Sequence, residues 1–124
     1  MSAGCGASMN DVALRDARVV SDAAAMSLET AQAAAELLYK AEQLREVDRA
    51  KTKEEAHAAV ATVRAKWVPV KASFERAREL HASLTKLIRA GAEVSAIVAK
   101  ASELAAVQSE LARAIRDTRE RMAE

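Results

Sequence analysis

Few side chains in these 124 residues are equipped for chemistry, and none stands where a reaction needs it. There is one cysteine, Cys5, and there are two histidines, His57 and His81. No carboxylate or cysteine completes a metal set with either histidine at suitable spacing. A half-buried, hydrogen-bonded side chain is the expectation for His81. No nucleophile sits beside a positioned base, no glycine-rich loop offers N–H groups to a phosphate, and no His-Glu-x-x-His pair occurs. The 18 acidic residues are interspersed with 19 basic ones on polar faces, where they serve solubility. The reading is a non-enzyme with no cofactor and no small-molecule substrate. Trp67 and Tyr39 could line a pocket for an apolar ligand, but with Phe74 they are the chain's only aromatics, which disfavours it.

Charge narrows the partners. The net charge of +1 argues against general electrostatic binding of nucleic acid. The basic excess of residues 51–90 lies on Lys51, Lys53, Arg64, Lys66, Lys71, Arg76, Arg78, Lys86 and Arg89, alternating with Glu54, Glu55, Glu75 and Glu79. That is the pattern of a solvated helix surface. No apolar run approaches the 18 residues of a membrane span. A single cysteine cannot form an internal disulfide.

The elements that must position these residues are helices. Alanine fills 31 positions, against 3 glycines and 1 proline, a composition that excludes sandwiches, barrels and parallel α/β sheets. From Val60 the apolar positions step by three and four through Val63, Trp67, Val70, Phe74, Ala77, His81, Leu84 and Ile88, with Leu80 and Leu87 on a flank. Thr52 and Glu55 form a capping box before this helix, and Ala90-Gly91 ends it. A second seam runs through Val94, Ile97, Ala101, Leu104, Gln108, Leu111, Ile115, Thr118 and Met122, flanked by Val98, Ala105 and Ala112.

The first segment is richer in alanine and less regular. Val20, Ala24, Ala31, Ala34, Leu38 and Ala41 form one stripe, and Val19, Ala23, Met26, Ala33, Leu37, Leu44 and Val47 an adjacent one. A kink is expected near Ser21, where Ser and Asp compete for backbone groups. Helices over about residues 11–48, 53–89 and 92–122 follow, joined by links too short to run back along the fold. Short links force an antiparallel, up-down-up three-helix bundle with coiled-coil-like packing, preceded by a flexible tail at 1–10. Trp67, Phe74, Leu38 and Met26 are expected to supply most of its bulk. The alternative is a long hairpin whose third apolar stripe is buried by another chain.

Two residue types break the pattern. Pro69 removes one backbone hydrogen bond inside the second helix, and it lies off the seam, so a solvent-side kink is expected. Its functional reading is a bend that shapes a groove beside Trp67. His81 and Gln108 are the polar seam residues, and a pairing between them would fix the register of the bundle.

Ala3-Gly4-Cys5 resembles the end of a bacterial lipobox, in which small residues precede a cysteine that is lipidated. It departs from that pattern at Ser2, where Leu is usual, and no basic and apolar signal precedes it. A start placed too far downstream would account for the missing signal, and so would an ordinary flexible N-terminal tail with a chance cysteine. Trp67-x-Pro69, Phe74 and His81 together resemble a segment of small α-helical lipoproteins of bacteria and their phages. That resemblance covers about twenty residues plus Cys5; it implies an envelope address and carries over no chemistry. The expected protein is a helical bundle for structure or interaction, lipid-anchored through Cys5 and facing the periplasm from the outer membrane. It would bind a protein partner, or itself, through a helix face. The alternative is a soluble, oligomeric coiled-coil assembly or virion protein.

Overall fold

The computed structural model describes the backbone of residues 2–123 and the side chains of residues 11–123. Three helices, α1 (Ser2–Arg49), α2 (Lys53–Arg89) and α3 (Val94–Ala123), make up the chain, and each packs against the other two. At 1.5 Å per residue they measure about 72, 56 and 45 Å. This is the expected all-α three-helix bundle. Opposed pairs fix α1 and α2 as antiparallel: Ser21 meets His81, Gln32 meets Arg78, and Glu42 meets Trp67.

The caps explain why the connections are short. Thr52 adopts an extended backbone (φ −132°, ψ 164°), and its hydroxyl accepts from the Glu55 N–H at 3.1 Å. The Glu55 carboxylate reaches back to the Lys51 N–H at 2.8 Å, so the box closes one residue earlier than its usual form. α2 ends at Arg89 with Ala90 as its C-cap, followed by Gly91 at φ +66°. The Gly91 N–H donates to the Ile88 carbonyl (3.2 Å) and the Ala92 N–H to that of Leu87 (3.1 Å), the paired bonds of a Schellman turn. Leu87 and Ala92 each pack against the core edge.

The core runs through the centre of the bundle. α2 contributes Val63, Trp67, Phe74, Ala77, Leu80 and Leu84, and α3 contributes Ile97, Ala101, Leu104, Val107, Leu111 and Ile115. α1 contributes Ala17, Ala24, Leu28 and Ala35, with Ser21 and Glu42 buried in the same row. Of the expected α2 seam, Val63, Trp67, Phe74, Ala77 and Leu84 are buried and Val60, Val70, His81 and Ile88 half-buried, while Leu80, expected on the flank, joins the core. No helix among the described residues is long and apolar enough to cross a membrane.

Four features differ from expectation. α1 starts at Ser2 rather than near residue 11, because nothing in residues 2–10 stops a helix: there is no proline, and Gly4 and Gly6 cost only about 1 kcal/mol each. α1 also runs unbroken through Ser21, whose hydroxyl has partners on α2 instead of competing for its own backbone. On α3, Val107 is buried and Gln108 half-buried, and the expected flank of Val98, Ala105 and Ala112 is exposed. The largest departure is on α1. The stripe containing Val19, Met26, Leu37 and Leu44 faces solvent, so Met26 adds no bulk to the core.

Candidate functional site

All three aromatic rings gather between α1 and α2. Tyr39 and Trp67 meet edge to face, with centroids 5.8 Å apart and planes at 82°. The Trp67 Nε1–H donates to Glu42 Oε2 at 3.1 Å in a buried setting. Glu42 also lies 3.6 Å from the half-exposed Lys66 Nζ, and Gln43 Nε2 donates to the Tyr39 hydroxyl at 2.9 Å. A groove of about 540 Å³ runs beside these rings, walled by Tyr39, Trp67, Val70 and Phe74 and rimmed by Arg64, Lys71 and Arg78. Trp67 and Phe74 are themselves buried, so their rings serve the core first.

Pro69 takes no part in that groove. It is exposed, and α2 continues as one helix across it. Pro69→Ala restores a backbone hydrogen bond and removes the ring's clash with the carbonyl of Ala65. Thermal melting followed by circular dichroism is expected to rise by several degrees, and a lower midpoint would contradict this placement.

The polar seam residues do not meet each other. His81 Nε2 lies 3.0 Å from the Ser21 carbonyl oxygen and 3.4 Å from its hydroxyl. Thr85, bonded through its own hydroxyl to the His81 carbonyl, stands 3.5 Å from the same Ser21 hydroxyl. The partner of His81 is therefore on α1, and Gln108 on α3 is not bonded to it. Gln108 loses the central position because Val107, one residue earlier, turns inward instead. A small polar residue on an alanine-rich stripe is the signal that would have pointed to Ser21.

No group of three or more His, Cys, Asp or Glu side chains that could hold a metal occurs among the described residues. The side chain of Cys5, the expected lipidation site, lies outside them.

What remains is the outer surface of α1. Val19 (60% exposed), Met26 (74%), Leu37 (70%) and Leu44 (64%) form one row with Val12 and Val47. At 100° per residue, this row lies roughly opposite Ala17, Ala24, Leu28 and Ala35. Two apolar seams therefore share a single helix, one buried and the other bare. Large apolar side chains lined up in solvent mark an interaction surface more often than chance exposure does.

Comparison of the chain with protein-family models, curated proteins and solved structures gave no match.

Proposed function

We propose that this chain is a non-catalytic helical-bundle interaction protein that offers the outer face of α1 to another polypeptide. The observation that carries the reading is the bare row from Val12 to Val47 on a helix whose opposite face already fills the core. A folded chain gains nothing from these side chains in water, whereas docking against a second apolar surface recovers about 25 cal/mol for each Å² buried. The close balance of charges supports the same reading, because it favours neither nucleic acid nor an anionic surface. Lipid attachment at Cys5 belongs to this proposal as an address: it would hold the bundle at an envelope membrane with α1 free to dock.

The test is photocrosslinking in the producing cell. A photoreactive side chain at Leu37 is expected to form a covalent adduct with another polypeptide. The same group at Glu103, exposed on α3, is expected to form none. Absence of any adduct from Leu37 in soluble, folded protein would overturn the proposal.

A further inference from the structure

Building on the interaction reading, we infer that the occupant of the α1 face is a second copy of this chain, docked antiparallel about a two-fold axis at residue 28. The outer positions Val12, Asp16, Val19, Ala23, Met26, Thr30, Ala33, Leu37, Lys40, Leu44 and Val47 step by four and three throughout, and every one is exposed. This is a complete heptad seam, the spacing that packs one helix along another. Only two charges interrupt it, Asp16 and Lys40.

A two-fold interface pairs residue i with j and j with i. In the antiparallel register whose paired numbers sum to 56, Val12 meets Leu44, Val19 meets Leu37, Ala23 meets Ala33 and Met26 meets Thr30. Asp16 then falls opposite Lys40, once on each side of the axis. Shifting by one heptad leaves both charges facing apolar residues or open solvent. A parallel pair sets Asp16 against Asp16 and Lys40 against Lys40. Within the chain neither side chain forms an ion pair among the described residues. Within the seam, the Asp16–Lys40 pairing favours this register over its one-heptad neighbours and over the parallel pair, against the like charges of the flanking row Asp22, Glu29 and Glu36, and the complement it matches is the same sequence.

The size is sufficient. Val12 to Val47 spans about 53 Å, and a strip some 10–11 Å wide removes roughly 1,100 Å² from the two copies together. That sits near the lower edge of specific interfaces and predicts a reversible dimer.

Sedimentation equilibrium on the full chain with Cys5 replaced by Ser is expected to give a concentration-dependent mass between 13.3 kDa and twice that value. Asp16→Lys and Lys40→Asp each place like charges in two layers and are expected to weaken association about tenfold or more. The two variants mixed, or both changes in one chain, restore opposite charges and are expected to recover it. Cysteines at Val12 and Leu44, on separate chains, are expected to crosslink with each other. Val12 with Val12 is not, being about 48 Å from its copy. A monomer at every concentration, no recovery on mixing, or a Val12–Val12 crosslink overturns the inference. A persistent Leu37 adduct in cells alongside a monomeric purified chain would retain the interaction reading and remove only the second copy.

Discussion

Leu84→Ala is expected to lower the stability of the bundle by about 3–4 kcal/mol, while Met26→Ala changes it by less than about 0.5 kcal/mol. Leu84 is fully buried at the meeting of the three helices. Truncating it removes the burial of three carbons and leaves a void that fixed helices cannot close. Met26 has as many side-chain heavy atoms but stands three-quarters in solvent, so its loss leaves no void. Urea unfolding followed by circular dichroism measures both, at a concentration low enough to keep copies apart. The contrast tests the rotation of α1 directly: were its outer row turned inward, Met26→Ala would cost as much as a core truncation. In a domain of 5–15 kcal/mol total stability, Leu84→Ala alone brings the transition within easy reach.

The second large effect sits at the bond between α1 and α2. Trp67→Phe keeps most of the ring but removes the Nε1–H that Glu42 accepts at 3.1 Å. Glu42 is 6% exposed, so water cannot replace the lost donor, and the expected cost is about 2 kcal/mol. Its other neighbour, Lys66, is too exposed to compensate. Glu42→Leu removes the acceptor and strands the indole N–H at a similar cost. The double variant is expected to lose little more than either single change, a coupling of about 1.5 kcal/mol. Strictly additive losses in urea unfolding would mean that the bond contributes nothing.

How much of this could be read from the residues differs by helix. α2 was legible because its seam is written in Val, Trp, Phe and Leu, side chains too large to face solvent without cost, and because Thr52 and Gly91 mark its ends through specific backbone bonds. α3 was legible apart from its flank: Ala105 and Ala112 on one side and Ala114 on the other weigh the same, so composition could not say which way the helix leans. α1 misled for a physical reason. Alanine occurs on nearly every face, and the larger residues Val19, Met26, Leu37 and Leu44 form the outer row. Its inner row contains Ser21 and Glu42, which discourage burial on paper but find His81, Thr85, Trp67 and Lys66 across the interface. Turning the other face inward would bring Lys40 toward the core. Polar residues are placed by their partners, and those partners lie 24 to 64 residues away in the chain. The groove was legible in part, as a pocket that Trp67 and Tyr39 could line, but its walls come from two helices and Pro69 is not among them.

The small inner side chains of α1 have a consequence for how the molecule responds to its own abundance. Among the described residues, Leu28 is the one large apolar side chain that α1 adds to the buried core, while α2 and α3 supply the remaining bulk. The helix with the smallest buried side chains is thus the one that offers most to the outside. Mass action ties these two facts together. Whatever docks on α1 also raises the free energy needed to peel it away, so under the proposed pairing a higher concentration of chains would toughen each of them along that strip.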